Sequence, residues 1–230
     1  MVMSEFSGIP DEPGIYGLPL SGTWVNTPRI FPDERGTFLE WFRADAVAEK
    51  LGYPLDLPQA NLSTSVEGVV RGIHFADVPP GQAKYVTCVA GRILDVIVDL
   101  RRGSTTFGRH IVVELSAENR RGLYLPVGMG HGFVVPEGSG PATVCYLVSE
   151  SYNPDAEHGV NPLDPKLGID WSVAGLADSD LVLSDKDRDA PGYREVEASL
   201  PSYSECRGWE QELRHDWEAA TAEAEGWEGE

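Results

Sequence analysis

The chain has 230 residues, 41% hydrophobic and 24% charged, with a formal net charge of −19 at pH 7. That length suits one sizeable core, since a domain near this size takes roughly 70% of its unfolded surface out of water. The acidity argues against general binding to nucleic acid and requires any phosphorylated ligand to find local cations, for which Arg35, Arg71 and Lys84 are candidates.

With 25 Gly and 17 Pro the chain turns often, which favours short strands over long helices and predicts an all-β fold. Residues 1–20 show no basic start followed by an apolar run, and no later stretch has bilayer length. No membrane partner and a cytoplasmic location are therefore expected. Cys88, Cys145 and Cys206 are odd in number and widely spaced, so neither a disulfide nor a structural zinc is expected, and the first two read as small core residues.

In chain order, residues 1–21 are rich in Gly and Pro without a period and read as an N-terminal arm. Trp24-Val25 and Ile30-Phe31 look like strand fragments, 32–36 is a turn carrying Arg35, and Thr37 to Phe42 is extended again. Ala44 to Leu51 is helical in pattern, with Gly52 as its stop and Pro54 beyond. Gln59 to Ser63 resumes strand character.

Next, the apolar pair Val69-Val70 leads to Arg71 and His74, with Gly72 between them, and a Pro79-Pro80-Gly81 turn returns the chain to Lys84 and a run from Tyr85 to Ala90. Three positions apart, Arg71 and His74 fall on opposite faces unless a bulge intervenes, for which Gly72 is the natural place. A base, a fixed cation and an ammonium would then gather near one sheet face. This stretch alone is equally compatible with a core histidine and two solvated cations.

Ile93 to Leu100 is the strongest strand, followed by His110 to Leu115, Leu123 to Pro126, His131 to Val135 and Ala142 to Val148, each bounded by turn residues. Short strands at regular spacing predict a sandwich or barrel. Beyond Ser149 the pattern loosens into loop. From Ser204 to Glu225, Trp209, Leu213, Trp217 and Ala220 recur with helical period, as a stripe packed on the barrel or on a partner chain. Nine acidic residues follow position 200 against Arg207 and Arg214, a tail that reads as serving solubility. The expected organisation is an arm over 1–21, one domain over 22–192 and an acidic, partly helical extension over 193–230.

His74 and His131 stand singly on their strands, without the paired histidines of a metal-holding barrel, so no metal site is expected. His110, His158 and His215 lie in polar or turn-rich sequence and read as solvated and structural.

Phe31-Pro-Asp-Glu-Arg-Gly36 with Glu40, Gln59-Ala-Asn61, Val70-Arg-Gly-Ile-His74, Lys84, Asp95-Val-Ile-Val-Asp-Leu-Arg101, Thr106-Phe-Gly108, Leu115-Ser-Ala-Glu-Asn119, Pro126 to Phe133, Tyr146, Tyr152 and Leu183-Ser-Asp-Lys-Asp187 together resemble the dTDP-4-dehydrorhamnose 3,5-epimerase family, in order and spacing over residues 22–192. Residues 78–84 and 128–131 are most similar to its antibiotic deoxysugar branch, some members of which invert one carbon only. The resemblance implies a cupin jelly roll with short flanking helices and a C-terminal helix. It also implies a homodimer exchanging N-terminal strands, and action without cofactor or metal on a 4-keto-6-deoxyhexose carried by dTDP. Carbon 3 is the expected site of inversion and carbon 5 a second candidate.

Such chemistry removes a C–H proton beside a ketone, so it needs a positioned base and a charge where the enolate oxygen develops. His74 is the candidate base. By resemblance Asp187 orients it, Lys84 faces the enolate oxygen and Tyr146 returns a proton on the opposite face. Also by resemblance, Arg35 and Arg71 contact the diphosphate and nucleotide, for which a planar guanidinium suits phosphate oxygens. Glu40, Gln59 and Asn61 match positions near the thymidine or sugar, and His131 and Tyr152 match pocket positions. Gln59 and Asn61, two apart, share a strand face. The chain departs from the classical members at Ser151, which stands where they have the first of two adjacent tyrosines. A cupin 3,4-ketoisomerase of the same sugar nucleotide and a non-catalytic nucleotide-sugar binder are the alternative functions.

Overall fold

A computed structural model describes residues 8–227; residues 1–7 of the expected arm and the last three acidic-tail residues lie outside the described residues. Thirteen strands and four α-helices are described. In chain order they are β1 (Gly14–Gly17), β2 (Trp24–Thr27), β3 (Ile30–Asp33), β4 (Gly36–Leu39), α1 (Ala44–Leu51), β5 (Gln59–Ser65), β6 (Val70–Ala76), β7 (Lys84–Ala90) and β8 (Arg92–Asp99). There follow β9 (His110–Ser116), β10 (Gly122–Leu125), β11 (Met129–Val134), β12 (Ala142–Val148), β13 (Glu157–Gly159), α2 (Asp185–Arg188), α3 (Tyr193–Val196) and α4 (Tyr203–Trp227).

Two antiparallel sheets face each other, one in the order β1-β2-β10-β7-β12-β5 and one in the order β13-β6-β11-β8-β9, while β3 and β4 form a separate hairpin. Between the sheets lies a core that includes Val86, Ile97, Ile111, Val113, Leu123 and Phe133. The alternate residues of β6, β8 and β11 point outward and bury Val70, Ile73, Val96 and Val134 against the segment after β13, which brings in Val160, Leu167 and Trp171. Strands covered on both faces read as continuous apolar runs, which is why β8 was the most legible strand. The all-β expectation holds, and α1 ends at Gly52, whose φ of 82° and N–H bond to the Ala48 carbonyl close the helix.

Two short strands escaped the sequence. β1 falls in the expected arm and extends the larger sheet from β2, and β13 falls in the expected loop and extends the smaller sheet from β6. At three and four residues, neither is long enough to show a period. The helix at the end of the chain is present as α4. Its first half packs Cys206 and Trp209 onto the outer face of the larger sheet beside α1, whereas Trp217 is exposed.

One expectation is corrected. β6 and β7 are not partners on one sheet; they belong to facing sheets. The Pro-Pro-Gly loop crosses between the layers, anchored by the Gly81 N–H to the Asp77 carbonyl (2.9 Å) and the Ala83 N–H to Ser149 Oγ (2.8 Å). His74 therefore stands across a gap from Lys84, and this opposition creates the cavity.

Candidate active site

The bulge expected at Gly72 is there. His74 pairs with His131 and Arg71 with Phe133, so three steps along β6 match two along β11, and Arg71 and His74 come to the same face. The backbones approach closely at this point: a Cβ on Gly72, which has a φ of +107°, would lie 2.5 Å from the His131 carbonyl, and one on Gly132 would lie 2.5 Å from that of Arg71. Only glycine fits both places.

His74 faces a cavity of about 380 Å³ whose walls also carry Gln59, Asn61, Lys84, Tyr146, Tyr152 and Glu157. Its Nε2 lies 2.6 Å from Oδ1 of Asp187. Asp187 is buried in α2, whose N-cap Ser184 donates its hydroxyl to Asp187 Oδ2 (2.9 Å) and accepts the Asp187 N–H (3.1 Å). Burial pushes the Asp187 pKa up, but hydrogen bonds from His74, Ser184 and the Gly72 N–H, with the charge of His74, hold it below the ordinary carboxylate value.

The opposite wall is the larger sheet. Register sets Val148 between Lys84 and Gln59, and Tyr146 between Val86 and Asn61, so all four polar side chains rise from one face. Gln59 Nε2 donates to Asn61 Oδ1 (2.8 Å), and Gln59 Oε1 accepts the Tyr152 backbone N–H (2.8 Å). Burial lowers the pKa of Lys84, with the carboxylates of Glu157 and Asp95 opposing it. Burial and the charge of Glu157 raise that of Tyr146, with Arg71 opposing. Arg71 donates Nε to Ser65 Oγ on β5 (3.0 Å), bridging the layers.

His131 is buried beneath this group and joined to Asp95 at 2.8 Å, while the other Asp95 oxygen is buried without a protein partner. The two aspartates of the 95–101 run thus differ: Asp95 holds His131, and Asp99 forms a buried ion pair with Arg101 (2.8 Å) at the far end of β8.

Of the expected site residues, Arg71, His131 and Asp187 do not themselves line the cavity, and two more lie elsewhere. Arg35 sits at the tip of the β3–β4 hairpin, paired with Asp33 and 83% exposed, and Glu40 lines a different cavity of about 440 Å³ with Phe31, Arg43, Trp24 and Tyr85. Conversely, Glu157 and His158 on β13 line the cavity although sequence singled out neither for it. His158 is not a plain solvated residue; it pairs with Asp77 at 2.9 Å and stands at the cavity wall. His110 is not solvated either: it is buried, its pKa lowered by desolvation. His215 is exposed as expected. Ser151 is among the residues lining a small adjoining cavity of about 160 Å³, which shares Gln82 and Glu157 with the larger one. No helix among the described residues is long and apolar enough to cross a membrane.

The family described as dTDP-4-dehydrorhamnose 3,5-epimerase matches residues 17–195. A dTDP-4-dehydrorhamnose 3-epimerase of Streptomyces niveus is 51% identical over 192 residues, covering 83% of this chain and 89% of that protein. The solved structure of the rmlC epimerase of Mycobacterium tuberculosis is 42% identical with a TM-score of 0.82, covering 87% of this chain and all of the other. That of ChmJ, a 3′-monoepimerase from Streptomyces bikiniensis in complex with dTDP-quinovose, is 40% identical with a TM-score of 0.80, covering 86% and 98%.

Proposed function

Because this chain belongs to the dTDP-4-dehydrorhamnose 3,5-epimerase family, we propose that it inverts carbon 3 of a dTDP-4-keto-6-deoxyhexose in deoxysugar biosynthesis, by removing a proton on one face of the sugar and returning one on the other. The observation that carries this reading is the placement of a His–Asp pair and a tyrosine on facing sheets across one cavity. A sugar ring lying between the layers offers one face to His74 and the other to Tyr146.

With Nε2 engaged by Asp187, the remaining ring nitrogen of His74 takes the carbon 3 proton, and Asp187 stabilises the imidazolium. Negative charge moves onto the carbon 4 oxygen, where the Lys84 ammonium meets it in a half-buried site that strengthens the attraction. Tyr146, kept protonated by burial, donates to carbon 3 from the opposite side and is itself reprotonated by solvent. Arg71, joined to Ser65 and close enough for its charge to act on Tyr146, suits the diphosphate, and Gln59 and Asn61 suit the sugar or base.

The chain acts as a homodimer in this proposal. Phe31 and Phe38 face each other across the hairpin with ring centroids 6.3 Å apart, and Phe38 is 67% exposed, an apolar surface that a second copy would cover. Such docking would carry Arg35 to the partner's cavity.

Incubation with dTDP-4-keto-6-deoxyglucose in heavy water, followed by NMR, tests the assignment. Deuterium at carbon 3 is expected, with carbon 5 read in the same time course to distinguish one inversion from two. Absence of deuterium at both positions would refute epimerisation, and a carbonyl moved to carbon 3 would establish a ketoisomerase instead.

A further inference from the structure

We propose that Glu157, on the edge strand β13, is a positioning residue that holds Lys84 as an ammonium and Tyr146 as a phenol within the cavity they share. It lines both the cavity of about 380 Å³ and the small one that Ser151 also lines. It is fixed in two ways. Pairing of β13 with β6 sets Glu157 opposite Ala76, two places along from the Gly159–His74 pair and so on the same face, and Gln82 Nε2 donates to Glu157 Oε1 at 3.1 Å while also donating to the Glu150 carbonyl at 3.2 Å. Gln82 lies two residues before Lys84, so one loop carries both the partner of the carboxylate and the ammonium it balances.

The charges around Lys84 come from five elements: Glu157 and His158 on β13, Asp95 on β8, His74 and Arg71 on β6, Tyr146 on β12 and Lys186 on α2. Asp95 already serves His131 with one oxygen. Glu157 is therefore the carboxylate of the cavity wall committed to no basic side chain. Its field acts in one direction on both groups, opposing the loss of a proton from Lys84 and from Tyr146. Both must be protonated for the epimerisation proposed above, on which the functional side of this inference rests.

The test is a substrate-free titration. The chain has four lysines, Lys50, Lys84, Lys166 and Lys186, so the 13Cε signal of Lys84 can be assigned with Lys84→Arg and followed by NMR. Glu157→Gln keeps the shape and can still accept from Gln82. It is expected to lower the Lys84 midpoint by about one pH unit, the scale of one opposite charge at close range, and to move the alkaline limb of kcat down with it. Glu157→Asp, which retains the charge, is expected to restore most of both. Lys84→Met reads the same coupling from the other side, because it must raise the Glu157 midpoint by an equal amount, and it serves if Glu157→Gln does not fold. An unchanged Lys84 midpoint in Glu157→Gln, or an unchanged Glu157 midpoint in Lys84→Met, would overturn the proposal. No deuterium exchange by the wild type would refute epimerisation instead, and the titration would still decide the pairing.

Discussion

Asp187→Asn is the most direct test of the proposed base. The change keeps size and hydrogen-bonding capacity but removes a charge that lies 2.6 Å from His74 Nε2. With charge centres about 4 Å apart, an effective dielectric of about 20 gives about 4 kcal/mol between the carboxylate and an imidazolium. The side chain of Asp187 is 8% exposed, but that of His74 is 35% exposed, so water screens part of the attraction and about half of it is the lower bound. A loss of about 2–4 kcal/mol of stabilisation as His74 takes its proton corresponds to about 30- to 1,000-fold in the exchange step. An asparagine whose amide turned towards Nε2 would also favour the wrong tautomer and push the loss to the upper end. The assay is the initial rate of deuterium entry at carbon 3 under saturating substrate, with KM measured in parallel. The expected result is a large fall in kcat with KM changed less than threefold. An exchange rate within threefold of wild type would refute the role given to the His74–Asp187 pair.

Tyr146→Phe should still wash deuterium into carbon 3 while inverting it at least about 100-fold more slowly, the usual scale of a lost general acid; unchanged inversion, read by product NMR, would remove Tyr146 from the mechanism. Gly72→Ala should destabilise the fold by about 3 kcal/mol, because its Cβ would meet the His131 carbonyl at 2.5 Å and its φ of +107° strains any other residue. In calorimetry that is a fall in Tm of about 6–12 °C, and a variant as stable as wild type would contradict the bulge. Phe38→Glu should yield a monomer by light scattering and raise KM, since the hairpin would no longer carry Arg35 to a partner; a dimer of unchanged activity would refute docking through this hairpin. Lys84 should lose its proton below the ordinary lysine range because burial dominates its environment, so activity that depends on the ammonium is present at neutral pH and lost as the pH rises through that lowered value, while fold stability rises over the same window because the unfolded chain holds that proton more tightly. An alkaline limb at the ordinary lysine value would exclude Lys84 as its source.

Among the described residues, local chemistry decided a great deal without tertiary help. Ala142–Val148 and Ala44–Leu51 begin and end where turn residues and a glycine stop require, and β8 is legible because both its faces are apolar. Gly72 marked the bulge, and the order of His74, Lys84, Tyr146 and Asp187 along the chain resembled one family over most of its length. The sequence could not show that β6 and β7 lie on opposite layers, because a strand's period names its faces and not its neighbours. Nor could it place Glu157 on the cavity wall, since a three-residue strand has no period and acquires its position only by pairing with β6. Arg35 matched its motif equally well in sequence, yet it lies on an exposed hairpin away from the cavity. Which residues carry chemistry is written in their types and spacing; which of them meet is decided by how two sheets close on each other, through contacts between residues far apart in the chain.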